Sequence, residues 1–222
     1  MTETSPKASA QPVMSDAPPR VYDRRALTYS ETFDSPLKRT IIKTIEWLTG
    51  KIHILRMVRK FEKKGKFHGQ AVWRGALDVM GIDLMTPQAQ LGRIPKTGPV
   101  VVVANHPHGL VDGVILAELI GRVRTDYRVL VRAFLKDLDE DAGQFLIPVP
   151  FPHEEDAQAK MVEMRKKAMD HLKEGGVVAL FPSGVVASSN SMFGPMVEDE
   201  WNLFTAKMIR MSGARVVPLF FP

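Results

Sequence analysis

Apolar and polar positions change their period twice along the chain. Residues 1–30 show no apolar period and are rich in Pro, Ser and Ala, as in "MTETSPKASAQPVMSDAPPR". They are expected to form a disordered N-terminal tail. Ile41, Ile45, Leu48, Ile52 and Leu55 then recur at spacings of four and three, an apolar stripe at helical period. Trp47, Ile54, Met57, Val58 and Phe61 widen it, and Thr49-Gly50 divides it into two helices.

After Gly81 the pattern becomes short apolar runs alternating with helical segments. Strands are expected at 99–105 (PVVVVAN), 127–135 (YRVLVRAFL), 177–182 (VVALFP) and 214–221 (ARVVPLFF). Helices are expected at 113–123, 156–176 and 199–213, the second with Met161, Met164, Ala168 and Leu172 on one face and Gly175-Gly176 at its end. This alternation predicts an α/β fold, a mostly parallel sheet covered by helices, preceded by an amphipathic basic helical segment. The expected division is a tail at 1–30, amphipathic helices at 31–70 and a sheet domain at 71–222. Because the sequence stops at Pro222, directly after the last expected strand, it reads as C-terminally truncated.

Charge adds a partner to this picture. The chain carries a net +5. Between Pro36 and His68 stand ten Lys or Arg against Glu46 and Glu62, a local +8 that leaves −3 on the rest. A cationic helix with a wide apolar stripe suits the surface of an anionic membrane, and a peripheral position on the cytoplasmic face of the inner membrane follows from that reading. The plainer alternative is a helical hairpin packed on the core with solvated charges. Nucleic acid fits less well, since no strand face interleaves aromatic and basic residues. There is no cysteine, which excludes disulfides, thiolate nucleophiles and cysteine-ligated metals. No apolar window reaches the ~20 residues of a membrane-spanning helix.

The sharpest chemical signal is "VVVANHPHGLVDG", 101–113. In a parallel sheet, chemistry gathers beyond the carboxyl ends of the strands, and Asn105, His106, His108 and Asp112 fall there. One reading is general-base catalysis, with an imidazole that takes a proton and an aspartate that orients it. A second is a metal site, because His-x-His with a nearby carboxylate can ligate zinc. A third makes Asp112 a helix cap and the histidines turn residues. The scattered positions of His53, His68, His153 and His171 supply no second ligand group and weigh against metal. "LFPSG", 180–184, is a second strand end. Amides near Gly184 could hold an oxyanion or a phosphate there, or the segment is a plain turn.

Four ordered stretches, "NHPHGLVDG", "VLVRAFLKD…FLIPVPF", "LFPSG" and "GARVVPLFFP", resemble the blocks of the glycerolipid acyltransferase family, which includes lysophosphatidic acid acyltransferases. The resemblance covers about residues 70–222. Five residues separate His106 from Asp112, one more than the family's usual spacing. This longer form is similar to a hemolysin-named branch related to acyltransferases of ornithine-type aminolipids. The resemblance implies His106 as base and Asp112 as its orienting partner, with Asn105, His108 and Gly113 in the same block. It implies Arg132 as the contact to an anionic group of the acceptor, with Lys136 as a further basic residue. Phe181, Pro182, Ser183 and Gly184 would line the acceptor site. Ser183 stands where the family has Glu, and Val185 where the branch often has another.

The implied activity is transfer of a fatty acyl group from acyl carrier protein or coenzyme A to the hydroxyl of a lysolipid, in membrane lipid biosynthesis, with no cofactor and no metal. The alternatives are a metal-dependent hydrolase built on His106, His108 and Asp112, and a noncatalytic lipid-binding protein on the same scaffold.

Overall fold

The computed structural model describes residues 35–46, 52–65, 67–132, 140–151, 154, 156–189, 191 and 194–222. The expected tail and Lys136 lie outside the described residues.

Among the described residues two helices come first, α1 (Pro36–Glu46) and α2 (Ile52–Lys63); the expected break at Thr49-Gly50 lies outside the described residues. Then follow α3 (Ala71–Met80), α4 (Gln88–Leu91), β1 (Val100–Ala104), α5 (Leu110–Gly121) and β2 (Tyr127–Arg132). The second half contains α6 (Glu140–Gly143), β3 (Leu146–Val149), α7 (Ala157–Lys173), β4 (Val177–Leu180), α8 (Leu203–Ser212) and β5 (Arg215–Leu219).

The five strands are all parallel, in the order β3-β2-β4-β1-β5. Strand β1 is buried along its whole length because both faces are covered. Val100, Val102 and Ala104 pack with α3 and α5 through Leu77, Leu116 and Ile120. Val101 and Val103 face the other way, onto α7 and α8 through Met164, Ala168, Leu172 and Met208. The α/β reading therefore holds, and the near-continuous Val run is the signature of that two-sided burial.

Several details depart from the sequence expectations. The helix after β1 begins at Leu110 rather than 113, so Asp112 lies inside its first turn. Helix α8 begins at Leu203 rather than 199, because the Asn202 side chain accepts the Phe204 N–H and fixes the start there. Strand β3 and helices α3, α4 and α6 had no expectation. Pro148 inside β3 hides the strand signal, and its missing N–H is tolerated because β3 is an edge strand.

Helix α2 is attached to the sheet domain. Phe61 packs on Phe67, 5.0 Å between ring centroids, and both rest on the core beside α3. Helix α1 keeps Leu37 and Ile41 70% and 50% exposed. No helix among the described residues is long and apolar enough to cross a membrane.

The far end of the sheet is held by one buried cation. Arg124 donates to the carbonyls of Pro95, Gly98 and Gly175 and pairs with the carboxylate of Asp126. It thereby ties together the loops that feed β1, β2 and β4, and leaves the carboxyl ends free for chemistry.

Candidate active site

Strands β1 and β4 are neighbours, with Val103 beside Leu180, so the two informative stretches emerge side by side. The turn after β1 reverses through Gly109, at φ 67° and ψ −127°, a conformation that side-chain-bearing residues avoid. That turn aims His106 and His108 at Asp112.

The Asp112 carboxylate is fully buried and accepts three hydrogen bonds. Oδ2 receives His106 Nδ1 at 3.0 Å and the His108 backbone N–H at 2.7 Å. Oδ1 receives His108 Nδ1 at 3.0 Å. From inside the first turn of α5, the carboxylate ties down the backbone just before the helix and holds both imidazoles, whereas the N-cap position itself is Gly109. An ionised carboxylate can only accept, so each Nδ1 carries a proton, and in a neutral imidazole that leaves Nε2 with the lone pair.

The two histidines are not equivalent. The His106 side chain is 16% exposed, and that of His108 is 53% exposed. The His106 ring is stacked on Phe181, 3.8 Å between centroids. Burial lowers the His106 pKa below its ordinary value of 6.5, against the opposing hydrogen bond and charge of Asp112 and the charge of Glu198. A part-buried, oriented, neutral imidazole with Nε2 unprotonated is what a general base near neutral pH requires.

Arg132 reaches from the end of β2 across the end of β4. Its Nη2 donates to the Gly184 carbonyl at 2.9 Å, and its guanidinium lies over the Phe151 ring at 5.1 Å. The cation therefore stands beside the 181–184 turn. In that turn, the Gly184 N–H donates to the Phe181 carbonyl and the Ser183 hydroxyl donates to the Val185 carbonyl. The amide of Gly184 itself thus closes a turn, as the plainer reading had it. The Pro182 carbonyl accepts the Asn202 N–H.

Asn105 is a brace. Its amide bonds both backbone groups of Phe221, at 2.7 and 2.8 Å, and locks the exit of β1 to the exit of β5. Gly113 lies in the first turn of α5, where an added Cβ would meet nothing within 4 Å. Packing does not demand glycine there. Among the described residues, no three His, Asp or Glu side chains form a group that could hold a metal ion.

Sequence reasoning passed over Glu198. It lies in the irregular stretch between β4 and α8, next to Val197, whose backbone pairs with Ser188 one residue from the Ala187 N–H that bonds the His106 carbonyl, and its charge favours protonated His106.

The profile of a protein family described as acyltransferase matches residues 33–222. The chain belongs to this acyltransferase family. It is an enzyme of acyl transfer, and the paired His106 and Asp112 lie within the matched region. The match begins at 33, before α1, so it spans the amphipathic helices as well as the sheet. No curated protein matches the chain.

Proposed function

We propose that this acyltransferase moves a fatty acyl group from a thioester, on acyl carrier protein or coenzyme A, to the hydroxyl of a lysolipid. The observation that carries the reading is the shielded His106 imidazole, held at Nδ1 by the buried Asp112. His106 Nε2 takes the hydroxyl proton as the oxygen attacks the thioester carbonyl. Asp112 stabilises the imidazolium that forms. The tetrahedral intermediate collapses, the C–S bond breaks, and the imidazolium returns its proton to the departing thiolate. Backbone amides stabilise the oxyanion.

Arg132 suits the phosphate or carboxylate of the acceptor, because a guanidinium binds such groups in a planar fork. This favours lysophosphatidic acid or a lyso-aminolipid of the ornithine type. Both His–Asp contacts use Nδ1 on one carboxylate, an arrangement suited to proton transfer more than to shared metal ligation.

The enzyme works as a peripheral protein at the cytoplasmic face of a membrane. Exposed Leu37 and Ile41 on α1 support this, together with the basic excess of residues 36–68.

A panel of lysophospholipids and lyso-aminolipids, each offered with acyl carrier protein and coenzyme A thioesters, tests the reading by mass spectrometry. One acceptor should gain the mass of one acyl group. No transfer to any lysolipid from either donor would overturn it.

A further inference from the structure

Asp112 is a divided partner. Its single negative charge serves two imidazoles and one backbone N–H. The stabilisation it can offer a His106 cation is correspondingly shared, and His106 lies in a part-buried position where an unbalanced charge is costly.

The loop between β4 and α8 brings a second carboxylate to the same place. The Ala187 N–H donates to the His106 carbonyl at 2.8 Å. One residue on, Ser188 and Val197 exchange both backbone hydrogen bonds, at 3.1 and 2.9 Å. At its other end the loop is tied by Asn202 N–H to the Pro182 carbonyl. These ties fix Glu198 beside the His106 turn. Its Oε1 is buried and, among the described residues, has no hydrogen-bond partner. A buried carboxylate oxygen without a donor is unfavourable for folding alone, so a purely structural role leaves it unexplained.

We propose that Glu198 is a second carboxylate partner of His106, a positioning residue whose charge stabilises the imidazolium formed when His106 accepts the proton of the acyl acceptor. The proposal rests on the reading of His106 as the base. The ionisable groups that bear on His106 are Asp112 from α5 and Glu198 from the loop, both of which favour its protonated form, while His108 shares Asp112. Arg132 acts on the loop at Gly184 and is bonded there.

The carboxylate expected in the "FPSG" block is replaced by Ser183, whose hydroxyl is occupied by the Val185 carbonyl. Glu198, on the same loop, returns a negative charge to the site from a different position.

The test compares Glu198→Gln and Glu198→Asp with the wild-type chain by two readouts. The first is NMR titration of the His106 ring, assigned from the spectrum of His106→Gln. The second is the pH profile of acyl transfer. In Glu198→Gln, His106 should titrate at a pH lower by roughly 0.5 to 1. The acidic limb of kcat/KM should move to lower pH with it, and kcat should fall about tenfold with acceptor KM held within about twofold. Glu198→Asp should recover part of each effect. A merely structural Glu198 predicts the opposite pattern: neutralising an unpaired buried oxygen would leave the titration unchanged and the melting temperature equal or higher. An unchanged His106 titration in Glu198→Gln overturns the proposal. Because the titration needs no turnover, a wild-type protein without acyl transfer would sink the proposed reaction and leave this pairing to be decided by NMR.

Discussion

The imidazole of His106 lies flat on the phenyl ring of Phe181, with centroids 3.8 Å apart and planes 10° from parallel. The stack joins the exits of β1 and β4. It shields one face of the ring, while Nδ1 at the ring edge is held by Asp112. Phe181 also packs against the core, so the support is rigid.

Phe181→Leu keeps the apolar volume but removes the flat support. It should lower kcat about tenfold through misplacement of the base, with a smaller change in KM. Steady-state kinetics at saturating donor check this. A kcat within about twofold of wild type would mean that the Phe181 stack does not position His106.

Acid should destabilise the fold in a defined window. Burial lowers the pKa of both His106 and His171 from 6.5, and His171 has its Nε2 on the Asp126 carbonyl. The unfolded chain therefore binds more protons than the native one below about pH 6.5, and stability must rise with pH there. Their contribution is complete above 6.5 and is lost as pH falls through the lowered native values. Asp126, lowered by its hydrogen bonds from Arg124, extends the loss to more acidic pH. Urea midpoints should fall between about pH 7.5 and about pH 5.5, and His171→Gln should flatten the slope.

Arg124 predicts stability without catalysis. Its guanidinium is nearly buried and satisfied by three carbonyls and Asp126, at the end of the sheet away from His106. Arg124→Ala leaves those acceptors unpaired and should cost on the order of 2–4 kcal/mol. Activity per folded molecule should be unchanged. Denaturant melts with active-site-normalised rates separate the two quantities.

The membrane proposal has its own test. Leu37 and Ile41 are exposed on α1, so Leu37→Glu/Ile41→Glu should fold normally. Flotation with anionic liposomes should drop severalfold, because apolar burial and the basic excess act together. Undiminished flotation would assign the contact to another surface.

The legibility of this protein in its sequence followed the range of each interaction. His106, His108 and Asp112 are joined by one turn, so a histidine–aspartate pairing was one local reading among three, and the family resemblance selected His106. The buried strands were legible because β1 and β4 are apolar on both faces. Asn105 was not, since its partner Phe221 lies 116 residues away and only the β1–β5 pairing brings them together. Glu198 sits among charged neighbours in an irregular loop, where no period marks which carboxylate turns inward. Strand β3 was masked by Pro148 and by its length of four residues. The amphipathic segment was legible as helices, but the use of Phe61 against the core depended on Phe67 and α3.

The central claim is that His106, oriented by Asp112, removes the proton from the acyl acceptor. The most direct measurement is the acyl-transfer rate of His106→Ala beside wild type, with melting curves to confirm that both are folded. A fall of about 10²- to 10⁴-fold in kcat, with acceptor binding retained, is the predicted result. Turnover near the wild-type rate in a folded His106→Ala protein would contradict it.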